Sequence, residues 1–310
     1  MPLELLVSSA KGNGEVNVSE GDFTLSVLFS RQWLIKPFFK AFRKLEVPLD
    51  HCHLLFLDNT DKAPLGYVLK KYCEDFIGYF KSVRLYKTYR EGGRVIMGGK
   101  HNKVYESKLP SIILGYLDIA KLTNTEILIN IEDDTLVPPH AIMQLLKDRE
   151  IFGKNSFITG VESNRGDDIS IPTRLGVYWV RCKDNKLLER VSASPRCKGC
   201  VSVDACGHFC FITSTKLFRR GFKNMYSFLN KSTHFAPDTY HTYNLKTKGV
   251  KIIADFGIKC IHIHPTPRRI LRWSTRKAIS TLDYYIPEWD HWANPTGLRI
   301  HVKKRPKWWD

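Results

Sequence analysis

The feature that most constrains this chain is a repeating alternation: a short apolar, β-branched run, then a stretch whose apolar residues recur at helical spacing. Phe23 to Phe29 (FTLSVLF) leads into a helical pattern from Trp33 to Leu45. His53 to Leu57 runs through Asp58-Asn59-Thr60-Asp61 into a helix from Leu65 to Phe80, with Pro64 suited to its first turn. Val83 to Tyr86 reads as a third strand, the Gly-rich stretch Glu91 to His101 as a loop, and Leu109 to Ala120 as a helix. Glu126 to Ile131 (EILINI) is a continuous apolar strand that stops at Glu132-Asp133-Asp134-Thr135, after which Pro138 and Pro139 open another helix. Strands alternating with helices predict a doubly wound α/β fold on a mainly parallel sheet. Such sheets bind ligands outside the carboxyl ends of their strands, and both acidic clusters fall at such ends.

Beyond a strand near Phe157 to Val161 the pattern changes to short β-like pieces at Leu175 to Arg181, Leu187 to Val191 and Val201 to Thr213. A helix from Asp238 to Lys248 ends at Gly249, and strands Val250 to Asp255 and Ile258 to Ile263 close a core that occupies residues 1–264. From Pro265 to Asp310 the chain is basic and aromatic, an appended helix with an irregular tail.

Composition serves mainly to exclude. Hydrophobic content of 43% with 12% aromatic residues supplies a core and argues against disorder. The opening residues lack a basic start followed by a long apolar run, and no later segment offers ~18 uninterrupted apolar residues, so neither a signal peptide nor a membrane span is expected. Eight cysteines without a leader then predict reduced thiols and a cytoplasmic protein. The formal charge of +17, from 48 Lys and Arg against 31 Asp and Glu, predicts attraction to polyanions.

Three successive carboxylates at a strand end repel one another and favour a cation. A hard divalent ion, Mg²⁺ or Mn²⁺, fits oxygen ligands and bridges to phosphates. The competing reading is a solvated acidic turn at a helix start. The segment Ile131-Glu132-Asp133-Asp134-Thr135-Leu136-Val137-Pro138-Pro139 resembles the DxD-type metal loop of GT-A glycosyltransferases, in the manner of family 2. Glu132 and Asp134 take the outer positions, so the first acid departs from the common Asp.

The resemblance runs from Phe23 to His264 and implies a Rossmann-like GT-A fold with a doubly wound mixed sheet. It implies that Glu132 and Asp134 hold the metal of a nucleotide diphosphate sugar, with Asp133 on the nucleotide sugar beside them. Phe29, Ser30 and Arg31 after the first strand, and Asp58 after the second, match the family's nucleoside contacts. Val203-Asp204-Ala205-Cys206-Gly207-His208-Phe209 resembles the acceptor-side segment in which a glycine, here Gly207, lets backbone approach the sugar. Pro237-Asp238 resembles the segment that supplies the general base of inverting members, with Pro in place of the acid that usually precedes. A carboxylate there would take the acceptor hydroxyl's proton as its oxygen attacks the anomeric carbon. A helix N-cap suits Asp238 as well, and the two roles are compatible.

His262 and His264 share one face of a late strand. In some GT-A enzymes a histidine on this strand completes the metal site, and satisfied structural histidines are the alternative. Cys197-x-x-Cys200, with Cys182, Cys206 and Cys210 nearby, is a candidate structural Zn²⁺ turn that lacks a second CxxC pair, the alternative being buried thiols. The extension carries ten Lys and Arg against four acids, interleaved with Trp273, Trp289, Trp292, Trp308 and Trp309. That mixture suits a phosphate backbone with stacked bases, or a lipid interface, or tryptophans packed on the core.

These readings converge on a metal-dependent, inverting glycosyltransferase using a nucleotide diphosphate sugar. The charge points to a polyanionic acceptor: a hydroxylated base in DNA, as in viral DNA modification, or an anionic membrane-associated envelope glycan. The rival reading is a nucleic-acid-binding protein that keeps the fold without the chemistry.

Overall fold

Strands buried on both faces need helices on both sides, and the arrangement follows from which side chains alternate to which face. A computed structural model describes residues 3–10, 18–30, 34–59, 64–88, 102–162, 175–183, 186–193, 196–223 and 237–262. The Gly-rich loop, Arg31, His264 and the basic extension lie outside the described residues, as does the side chain of Cys182.

The strands are β1 (Leu3–Ala10), β2 (Phe23–Phe29), β3 (Cys52–Asp58), β4 (Ser82–Thr88), β5 (Ile127–Glu132), β6 (Thr135–Leu136), β7 (Ser156–Glu162), β8 (Val177–Lys183), β9 (Lys186–Ser192), β10 (Cys200–Ser202), β11 (Ala205–Cys206), β12 (Cys210–Ser214) and β13 (Lys251–His262). The helices are α1 (Ile35–Phe42), α2 (Pro64–Phe76), α3 (Asn102–Leu122), α4 (Ala141–Phe152), α5 (Thr215–Gly221) and α6 (Pro237–Lys246). The main sheet has ten strands in the order β1-β4-β3-β2-β5-β12-β7-β13-β10, with β6 paired to β13 off that path. A small sheet, β11-β8-β9, stands apart.

Strands β4, β3, β2 and β5 are mutually parallel, as are β7 and β13, but β12 runs antiparallel between β5 and β7. The sheet is therefore mixed, as the family resemblance implies, and less parallel than the alternation of strands and helices alone suggests. Edge strand β1, antiparallel to β4, was not foreseen. Its sequence LELLVSSA alternates weakly, and several of its residues are exposed. The two late strands are one bent element: β13 leaves its partner β7 after Ala254 and rejoins at Lys259. The bulge crosses close to β7, where a Cβ on Gly160 would meet Ile258 Cγ2 at 2.7 Å.

Along β2, Phe23, Leu25, Val27 and Phe29 face one layer, built with α1, α2 and α4. Leu28 faces the other, built with α3, α5 and α6. Helices thus cover both faces, and the carboxyl ends of β2, β3, β5, β7 and β13 meet along one edge of the sheet.

Candidate active site

At that edge the chain turns sharply after Glu132, and Asp133 and Asp134 sink inward, 2% and 1% exposed. The turn is held by β6, which pairs antiparallel with the end of β13 so that Thr135 stands opposite His262 and Leu136 opposite Ile261. This register joins residues more than 120 positions apart: His262 Nε2 lies 3.1 Å from Asp134 Oδ2. The other ring nitrogen, Nδ1, lies 3.0 Å from Glu162 Oε2 at the end of β7. Glu162 is fixed in turn by the Thr135 hydroxyl, which donates to Oε1 at 2.8 Å.

Glu162 belongs to the site although sequence reasoning missed it. The signal was available, since it is the acid at the carboxyl end of a buried strand. Its partner role follows from chemistry: a carboxylate on Nδ1 selects the tautomer that leaves Nε2 free as a donor atom for a metal. Tyr116 of α3 was also missed, and its hydroxyl donates to Glu132 Oε1 at 3.0 Å. No local pattern marks Tyr116, because only packing brings it under the acidic turn.

The electrostatics report a shortage of positive charge. Burial pushes the Glu132 carboxyl up to about 8, and the negative charges of Asp134, Asp238 and Glu162 add to the effect, against His262. Glu162 is also raised, by burial first, with His262 opposing. That Asp238 acts on Glu132 puts the start of α6 within reach of the acidic turn. There Pro237 occupies the first helical position and Asp238 lies half-buried in the first turn, inside the helix rather than capping it.

This donor set fits a divalent ion. Two ligands at right angles on an ion with bonds of about 2.1 Å stand about 3 Å apart, which matches the Asp134 to His262 spacing of 3.1 Å. Asp134 and His262 would hold the ion, with Glu162 orienting the imidazole and Glu132, held by Tyr116, adding negative charge nearby.

The remaining expected residues occupy the same edge in different roles. Asp133 Oδ2 accepts from the Ser30 backbone N–H at 2.7 Å and from its hydroxyl at 3.1 Å, which ties the end of β2 to the acidic turn. Phe29 is wholly buried in the aromatic layer, so its side chain serves packing and only its backbone reaches the edge. Asp58 is buried and lies 3.1 Å from Lys87 Nζ, while the neighbouring Asn59 side chain accepts from Thr88 at 2.8 Å. At Gly207 the constraint is steric, since a Cβ would meet the Phe209 ring at 2.3 Å. The Cys197-x-x-Cys200 turn divides: Cys197 packs against the hydrophobic layer, whereas Cys200 lies with Asp148 and Asp255, away from the acidic turn.

A mixed sheet with helices on both faces and an acidic turn at its carboxyl edge defines a doubly wound α/β protein. No model of a known protein family matches the chain, and no curated protein matches it in sequence. Among solved structures it is similar to GalNAc-T7, in a crystal structure with UDP, GalNAc and Mn²⁺, at a TM-score of 0.52 and 13% identity over 87% of this chain and 49% of that one. A mannosyltransferase, PcManGT from Pyrobaculum calidifontis, in complex with GDP-Man and Mn²⁺, gives 0.49 at 14% identity over 80% and 58%. This chain spans about half the length of the solved chains it resembles. It has the GT-A fold. No helix among the described residues is long and apolar enough to cross a membrane.

Proposed function

We propose that this protein is a metal-dependent glycosyltransferase that binds a nucleotide diphosphate sugar at the carboxyl edge of the sheet. The observation that carries this reading is the β6–β13 register, which sets His262 Nε2 against Asp134 with Glu162 behind it. Support comes from the GT-A fold, represented by a solved structure that holds UDP, GalNAc and Mn²⁺. Mn²⁺ or Mg²⁺, held by Asp134 and His262 with Glu132 nearby, would supply charge to offset the diphosphate leaving group.

The chain's own residues do the rest. Ser30, fixed by Asp133, and Asp58, fixed near Lys87, form the nucleoside end, with Arg31 beside them in sequence. Asp238 takes the proton of the acceptor hydroxyl as that oxygen attacks the anomeric carbon on the face opposite the diphosphate, whose bond to the sugar breaks, so the configuration inverts. Gly207 and its segment lie on the acceptor side. The charge of +17 supports a polyanionic acceptor, a hydroxylated base in DNA or an anionic glycan at a membrane.

A thermal-shift panel of UDP, GDP, CMP and dTDP with their sugars, with and without Mn²⁺, tests the reading on wild type and Asp134→Asn. A ligand at 100 times its dissociation constant adds about 2.7 kcal/mol of stability. One nucleotide should stabilise the wild type only with metal and leave Asp134→Asn unmoved. If none does, while duplex DNA binds with a steep salt dependence, the protein is a nucleic-acid binder on this fold instead.

A further inference from the structure

A second acidic cluster lies away from the acidic turn, and nothing in the proposed transfer uses it. Asp148 of α4, Asp255 in the β13 bulge and Cys200 at the start of β10 offer one ligand atom each, all within 4.8 Å of one another. Asp148 and Asp255 are 1% and 3% exposed, whereas Cys200 opens to solvent.

Each carboxylate has one oxygen engaged and one orphaned. Gln144 Nε2 donates to Asp148 Oδ1 at 2.9 Å, and the Gly257 backbone N–H donates to Asp255 Oδ1 at 2.8 Å. Asp148 Oδ2 and Asp255 Oδ2 are buried and, with both acids ionised, have no donor from the rest of the protein, so that only a proton between the two acids or the Cys200 thiol can reach them. Buried polar atoms are rarely left so, and two orphaned acceptors on facing acids mark a place for a cation.

From this geometry we infer that Asp148, Asp255 and Cys200 form a second metal site, for a borderline divalent ion of the zinc type. Hard ions prefer all-oxygen sites, but a thiolate with two carboxylates suits Zn²⁺, with water in the fourth position. Ligands around a tetrahedral ion stand about 3.3–3.8 Å apart, so the present set closes on an ion by side-chain rotations of about an ångström. Burial first, and then the Asp255 charge, push Asp148 up to about 7, which a bound cation would offset. Partial burial and the same two acids hold the Cys200 thiol up to about 12, and an ion releases its proton to solvent.

The ion would clamp three elements, α4, β10 and the bulge of β13. The bulge sets the register of the strand that ends in His262, so the clamp stabilises the frame of the first site without touching it. Bulges beside sites are a recurring device for aiming side chains.

Co²⁺ serves as the probe, because a thiolate ligand gives it a charge-transfer absorption that carboxylate and imidazole ligands do not. The full chain, stripped with chelator and kept reduced, should gain this band with one equivalent of Co²⁺ and lose it on addition of Zn²⁺. Asp134→Asn and Cys197→Ser should retain the band, which separates this site from the first one and from a CxxC pair. Cys200→Ser, at an exposed position that tolerates change, should lose the band, and so should Asp255→Asn. No band in the wild type, or a band that survives Cys200→Ser or vanishes in Cys197→Ser, overturns the assignment. A failed glycosyltransferase assay leaves this result unaffected.

Discussion

The two layers that cover the sheet are equally buried and differ in kind. On the α1, α2 and α4 side, Phe29, Phe38, Phe39, Phe42, Phe56 and Phe76 form one continuous set of ring contacts with centroids 5.3 to 6.4 Å apart. On the α3, α5 and α6 side, the rings of Phe157, Phe211, Phe218 and Phe222 enclose two imidazoles. His241 Nε2 lies 2.8 Å from the Phe218 carbonyl, to which it donates, so its Nδ1 accepts from His208 Nε2 at 3.0 Å. Tyr116 packs edge-on against His208 and reaches Glu132, linking this layer to the acidic turn. The first layer supplies stability alone, while the second couples stability to charge and to the site.

That contrast is open to test. The largest effect is expected at the site: Asp238→Asn should lower kcat by about 10²- to 10⁴-fold while leaving metal-dependent donor binding and the melting temperature unchanged. Loss of donor binding instead would make Asp238 a binding residue. In the aromatic layer, Phe39→Ala should cost about 3–5 kcal/mol in urea unfolding and leave the nucleotide dissociation constant as it was. A parallel fall in affinity would show that the layers are not separable.

A smaller effect is expected behind the metal site. Glu162→Gln keeps the shape but weakens the hold on the His262 ring, and should reduce Mn²⁺ affinity by about 10- to 100-fold, read by titration calorimetry. An unchanged affinity would mean that His262 is not a ligand.

The smallest effect per pH unit comes from the imidazole pair. Burial holds His208 well below its ordinary 6.5, with His241 adding, and burial brings His241 down to about 3. Below 6.5 the unfolded chain binds protons that the folded chain refuses. The contribution of each histidine is therefore full above 6.5 and falls as the pH drops toward its folded value, by about 1.4 kcal/mol per pH unit, while the raised acids Glu132 and Asp148 slope the other way. Urea unfolding across this range should lose stability with acid more steeply in the wild type than in His208→Phe, by about the slope of one histidine. An unchanged slope in the variant would assign the acid sensitivity to His241 or to His53, both of which burial also lowers.

Much of this was legible in the sequence because parallel strands and their helices are local patterns. β2, β3, β5 and their following helices appeared within a few residues of their observed bounds, and the acids at Asp58 and Glu132 to Asp134 were placed at strand ends by the same reasoning. The local patterns failed where pairing was distant. LELLVSSA did not announce β1, whose place is decided by its antiparallel fit to β4. Two apparent late strands proved to be one, because Gly160 lets the bulge pass.

The sequence by itself determined the class of fold and the acidic turn at a strand end, since apolar periodicity and contiguous charge act over a few residues. Only the tertiary structure decided which partners those residues meet. Glu162 and His262 reach the turn through strand register and Tyr116 through helix packing, while Asp148, Cys200 and Asp255 converge from three elements. The physical reason is the same in both places. Desolvation and pairing of charges depend on distances between residues far apart in the chain, and those distances exist only once the sheet has formed.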